Sequence, residues 1–142
     1  MIITQKEEHT TLWREDDRVL INQWANFAEE ADFLNSMGFA NGFINDHHLV
    51  GYISDRTKQE LPLYGSANWY ATNLIDELRL IKAPLFALVV PKNDFFTHLE
   101  PILNYLLNNS GKPMQFRVFK SVGAAEVWIE EKAIELRETT GA

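Results

Sequence analysis

The sequence predicts an α/β domain: a mixed sheet of four to five strands that opens with a β-hairpin and has helices packed on it. Three observations lead there. Pro84–Pro91 reads P-L-F-A-L-V-V-P, an unbroken apolar run between two prolines. The run is short for a helix and rich in Val, Leu and Phe. Lacking polar alternation, it predicts a strand buried on both faces, central in a sheet that helices cover. β-prone runs also alternate with helical patterns along the chain, the arrangement of an α/β fold. Finally, the first two β-prone runs are separated by a short polar turn, which implies an antiparallel hairpin.

The hairpin pairs His9–Arg14 with Arg18–Trp24 across Glu15-Asp16-Asp17. Alternation puts Thr10 and Leu12 on one face and Thr11 and Trp13 on the other. A helix is expected from Asn26 to about Asp46, with Phe33, Leu34, Met37, Phe43 and Ile44 near one face and its acidic residues toward the start, where the macrodipole favours them. Gly38 or Gly42 is expected to end it. His48–Ser54 is the third strand, left through Asp55-Arg56-Thr57. Lys58–Gly65, with Pro62 and Gly65, is expected to be a loop. Ser66 can then cap a helix in which Trp69, Tyr70, Asn73, Leu74, Glu77, Leu78 and Ile81 recur at helical spacing, stopping before Pro84.

After the central strand, Asp94–Asn109 carries an apolar stripe through Phe95, Leu99, Ile102, Leu103, Leu106 and Leu107. Pro101 should kink it or start a second piece. Gln115–Phe119 is a short alternating strand. Ser121 caps a final helix whose core face is Ala125, Trp128, Ile129, Ala133 and Leu136. The expected order is β-β-α-β-α-β-α-β-α with right-handed crossovers.

The 142 residues predict one domain, with a core over about 9–137 and enough length to bury it without staples. A 46% hydrophobic and 12% aromatic composition is globular, not disordered. The absence of cysteine rules out a disulfide framework, a thiolate nucleophile and a cysteine-ligated metal, and fits the cytoplasm. The N-terminus has no basic segment followed by an apolar core, so no signal peptide is expected. No apolar run approaches the ~20 residues of a membrane span. A formal charge of −7, with Lys and Arg scattered singly, argues against nucleic-acid binding.

No Walker loop, dinucleotide fingerprint or nucleophile elbow is present; Gly65-Ser66 is half of an elbow only. His47-His48 beside Asp46 is the most metal-like cluster, with His9 and His98 as distant additions. Neighbours on a strand point to opposite faces, so a surface polar pair is preferred to a metal site. Asp55 at a strand end, with Lys120 after the last strand, invites comparison with phosphoacceptor aspartates. Those folds open with a strand followed by a helix, and this chain opens with a hairpin. Asp55 and Arg56 are therefore expected to form a surface turn or exposed ion pair, contributing ~0–1 kcal/mol.

Phe116–Ile129, F-R-V-F-K-S-V-G-A-A-E-V-W-I, resembles the close of SpoIIAA-like, STAS-type small bacterial domains. Leu49–Arg56 resembles their third strand, Ser66–Leu74 the helix that follows it, and Leu85–Phe95 their fourth strand. The resemblance spans roughly residues 9–135 as a pattern and order of elements. It implies a SpoIIAA-like fold and, in the anti-sigma-factor antagonists, a phosphorylatable Ser in a D-S-x-G-type loop opening the helix after the third strand. Here that opening is Tyr64-Gly65-Ser66-Ala67-Asn68; the preceding Asp and following Gly are both missing. That departure favours Ser66 as a plain N-cap worth about 1 kcal/mol.

The functional expectation is a non-enzymatic STAS-like protein-interaction or regulatory domain, bacterial and cytoplasmic, with no cofactor and no metal. It would dock a protein partner or a small apolar ligand through Asp55, Arg56, Ser66, Trp69 and Asn93. The alternative is a small ligand-binding protein or enzyme with a pocket at the carboxyl ends of the strands, near Asp55, Pro91–Asp94 and Lys120. Because exposed sheet edges need covering, a homodimer through the N-terminal hairpin is the expectation for self-assembly.

Overall fold

A computed structural model describes residues 2–5, 9–14, 19–24, 30–58, 66–90, 101, 105 and 114–139. The strands are β1 (Ile2–Gln5), β2 (His9–Arg14), β3 (Val19–Trp24), β4 (Gly51–Asp55), β5 (Leu85–Val89) and β6 (Gln115–Phe119). The helices are α1 (Glu30–His47), α2 (Ser66–Leu80) and α3 (Val122–Thr139). The strands form one sheet in sequential order, β1 to β6. The first three pair antiparallel, and β3 through β6 run parallel. The α/β class and the mixed sheet are as expected.

The sheet has six described strands, not four to five. The addition is β1, which lies outside β2 with an irregularity between Ile2 and Thr4. The expected hairpin forms, with His9 opposite Trp24 and Arg14 opposite Val19. It is not the sheet edge, because β1 covers β2. The edge strands of the described sheet are β1 and β6.

Burial follows the pleat. Leu20, Trp24, Tyr52, Phe86 and Leu88 face one side, where they join Phe33, Met37, Ala40 and Ile44 of α1 and Leu74 and Leu78 of α2. Val19, Ile21, Ile53, Leu85, Ala87 and Val89 face the other, against Ala125, Trp128 and Ile129 of α3. Every residue of β5 is buried, as the apolar run between the prolines predicts. Trp13 joins the α1 side and Leu12 the α3 side, so the predicted hairpin facing holds.

Helix α1 runs straight through Gly38 and Gly42 and ends at His47. A β-carbon at either glycine would meet nothing within 4 Å, so both sit on the outer side. Each costs roughly 1 kcal/mol in helix propensity. The burial of Phe33, Met37, Ala40 and Ile44, spaced four, three and four, outweighs that. Leu34, expected on this face, points outward at 48% exposure.

The helix stops in a Schellman arrangement. The Leu49 amide donates to the Ile44 carbonyl at 3.0 Å and the His48 amide to the Asn45 carbonyl at 3.4 Å. His48 takes the left-handed position, φ 53°, where glycine is usual. Leu49 and Ile44 close the motif in the apolar cluster.

Asn41 of α1 ties off the end of α2. Its side-chain amide donates to the Leu80 carbonyl at 2.6 Å, and its oxygen accepts from the Lys82 amide at 3.0 Å. Ser121 caps α3 as expected, accepting from the Ala124 amide at 3.2 Å. The helix expected over Asp94–Asn109 lies outside the described residues, apart from Pro101 and Tyr105, which are helical and exposed.

Candidate functional site

Strand alternation aims Asn22 and Trp24 of β3, and Tyr52 and Ser54 of β4, at the layer that holds α2. Arg56 continues the alternation one residue past β4, and its amide extends the ladder by donating to the Val89 carbonyl at 2.8 Å. Parallel register sets Asn22 beside Ser54 and Leu20 beside Tyr52. From the facing helix, Asn73 and Glu77 are one turn apart and both point inward. The result is a buried polar cluster within the carboxyl half of the parallel sheet.

Glu77 is its centre. Its Oε2 accepts from the Tyr52 hydroxyl at 2.5 Å and from Trp24 Nε1 at 3.1 Å. Its Oε1 accepts from the Ser54 hydroxyl at 2.6 Å and from Arg56 Nη2 at 2.9 Å. The same Nη2 donates to Asn73 Oδ1 at 2.8 Å, and Arg56 Nε donates to Ser54 Oγ at 3.3 Å. The guanidinium carbon lies 5.4 Å from the Trp24 ring centroid, within cation–π range. Outward, Asn22 Nδ2 donates to the Tyr52 oxygen at 2.8 Å, and the Thr11 hydroxyl donates to Asn22 Oδ1 at 2.6 Å. The chain of contacts thus links β2, β3, β4 and α2.

The Arg56 and Glu77 side chains are wholly buried, with 0% exposure for both. Two donors at each oxygen fill the acceptor capacity of the carboxylate. A carboxylate so occupied has no free lone pair with which to take a substrate proton. This geometry holds elements together.

Tyr52 is the group whose ionisation the cluster perturbs. Burial pushes its pKa well above the ordinary tyrosine value of 10.0; the negative charge of Glu77 and the hydrogen bond to it act in the same direction. The Asn22 hydrogen bond and the Arg56 charge oppose the shift. With the folded pKa raised, the stabilisation is fully present below the unfolded value and is lost as pH rises from there toward the folded pKa. Stability should therefore fall above about pH 10, by up to ~1.4 kcal/mol per pH unit from this group. Urea titrations of wild type and Tyr52→Phe between pH 8 and 11 check this. Parallel pH profiles for the two proteins would rule out Tyr52 as the source.

The residues expected to make a site fare differently. Asp55 and Arg56 are both buried, at 4% and 0% exposure, and are not the exposed pair that the sequence suggested. The reason is the pleat: it turns Arg56 inward to Glu77. Asp55 Oδ1 accepts from the Thr57 amide at 3.0 Å and the Thr57 hydroxyl at 2.7 Å, closing the turn. Ser66 opens α2 and Trp69 lies in its first turn. Asn93 lies outside the described residues, as does Pro91–Asp94 of the alternative pocket. Lys120 is exposed directly after β6.

His47 is on α1, not on a strand. Its ring lies 4.0 Å from that of Phe43 and 4.7 Å from that of Trp13, between centroids. Among the described residues, no group of three or more His, Asp or Glu is placed to hold a metal ion.

Sequence reasoning did not single out Thr11, Asn22, Trp24, Tyr52, Ser54, Asn73 and Glu77 as a cluster. The available signal was Asn73 and Glu77 alternating with Leu74 and Leu78 on the core stripe of α2, together with Asn22 inside the apolar run of β3. No described helix is long and apolar enough to cross a membrane. Comparison with protein-family models, curated proteins and solved structures finds no match.

Proposed function

We propose that this chain is a non-enzymatic protein-interaction or regulatory domain of the SpoIIAA-like, STAS type that its sequence resembles, acting in the bacterial cytoplasm. The observation that carries the reading is the closure of the buried cluster. The Glu77 carboxylate is saturated by Trp24, Tyr52, Ser54 and Arg56, and its charge is balanced in place. Such a cluster supports a surface and does not perform chemistry on it.

The surface it supports is the start of α2 beside the turn after β4. Positions 66, 69, 73 and 77 follow one another along a single stripe of α2. The inner half of that stripe, Asn73 and Glu77, holds the cluster. The outer half, with Ser66 and Trp69 in the first turn of α2, in this reading serves the carboxyl-end side of the parallel strands, where α/β folds commonly bind. In this reading a protein partner contacts Ser66 and Trp69, while Asp55 and Arg56 shape the ground beneath them.

The test is affinity capture from a lysate of the source organism with wild type and Ser66→Asp, each first shown by melting to be folded. Loss or replacement of the captured partner in the variant is the expected result. Identical partners for both proteins would overturn this placement of the docking surface.

A further inference from the structure

We propose that the Arg56–Glu77 pair is a seating lock: it selects one position of α2 on the sheet and contributes little to net stability. Among the described residues, the apolar contacts of α2 do not choose a position by themselves. Leu74, Leu78 and Ile81 bury into the same cluster as Leu20, Tyr52, Phe86 and Leu88. Apolar burial is not directional. A stripe spaced four and three presents a similar face after a slide of one turn, about 5.4 Å.

The polar partners discriminate where the apolar ones do not. They come from separate elements whose relative places the sheet fixes: Trp24 from β3, Tyr52 and Ser54 from β4, and Arg56 just beyond it. A one-turn slide would exchange Asn73 for Glu77. The amide has one oxygen to offer four donors and no charge to offer Arg56. That slide therefore takes the buried guanidinium away from the Glu77 carboxylate. Desolvating both ions offsets most of their attraction, so the pair acts mainly through what the alternatives would lose. This inference does not depend on the proposed partner; its consequence for that proposal is that the turn carrying Ser66 and Trp69 is held in one place.

The test removes both charges while keeping an acceptor for Tyr52 and Trp24, in the double variant Arg56→Met/Glu77→Gln. The melting temperature should stay within about 5 °C of wild type. Amide hydrogen exchange in α2 should accelerate about tenfold or more, with β5 and α3 unchanged. Arg56→Lys keeps the charge but loses the planar guanidinium whose Nη2 meets Glu77 and Asn73 while its Nε reaches Ser54, and should show the same α2-specific increase to a smaller degree. Wild-type exchange in α2 of both folded variants would overturn the lock. So would a double variant that melts far lower with all elements exchanging together, because the pair would then be a general stabiliser.

Discussion

Glu77→Ala is expected to lower the unfolding free energy by about 3–5 kcal/mol, the usual result of removing one partner from a buried ion pair. The magnitude follows from what is left behind. Arg56, at 0% exposure, loses the Glu77 carboxylate it donates to. The Tyr52 and Ser54 hydroxyls and the Trp24 indole lose the oxygens they donate to. Each stranded buried donor costs roughly 1–3 kcal/mol unless water replaces the acceptor. Domains of this size hold only about 5–15 kcal/mol in total, so the variant should sit near the threshold of folding. In urea the midpoint should drop by about 2 M. Were Glu77 an ordinary surface acid, the loss would be ~0–1 kcal/mol. A measured loss below about 1 kcal/mol would show that the carboxylate is not closed inside the fold.

That cluster was the least readable part of the chain, and the reason is distance along it. The residues that Glu77 meets lie between 21 and 53 positions away. Spacing within one helix put Glu77 on the core stripe, but only the strand order reveals that Trp24, Ser54 and Arg56 converge there. Asp55-Arg56 looked like a surface pair because charged neighbours usually are. The pleat sends the two side chains in opposite directions, and both become buried.

Local chemistry was readable wherever a single segment carries the whole signal. The run between Pro84 and Pro91 is buried along β5, Ser121 caps α3, and Leu12 and Trp13 take opposite faces of the hairpin. Strand β1 escaped because four residues, Ile-Ile-Thr-Gln, are too few to display alternation. Helix α1 continued through two glycines because burial of its other face overrides propensity, a tertiary effect that no local rule contains. For the proposed docking surface, the position of Ser66 at the start of α2 was readable, but the buried support beneath that helix was not.

Gly51→Ala is expected to destabilise the fold by about 2 kcal/mol, although it adds a single methyl group to a strand. Gly51 lies in the middle of the sheet, paired with Val19 on one side and Leu85 on the other. A β-carbon there would come within 2.6 Å of Ile129 Cγ2 and 3.1 Å of its Cδ1. The closer contact is not a flexible tip that can swing aside. Cγ2 branches directly from the β-carbon, and a β-branched residue in a helix has essentially one favoured χ1. With Ile129 fully buried, the added methyl group must lift α3 from the sheet or force Ile129 out of its rotamer. Reduced freedom of the unfolded chain returns only about 0.4–1 kcal/mol. The contact itself can be isolated in a double-mutant cycle with Ile129→Ala. Alone, that substitution should cost about 2–5 kcal/mol for its cavity. In the Gly51→Ala background the new methyl group partly fills the cavity, so the two losses should fall short of additivity by at least ~1 kcal/mol. Strict additivity within about 0.5 kcal/mol would mean that α3 does not approach β4 as closely as Gly51 permits.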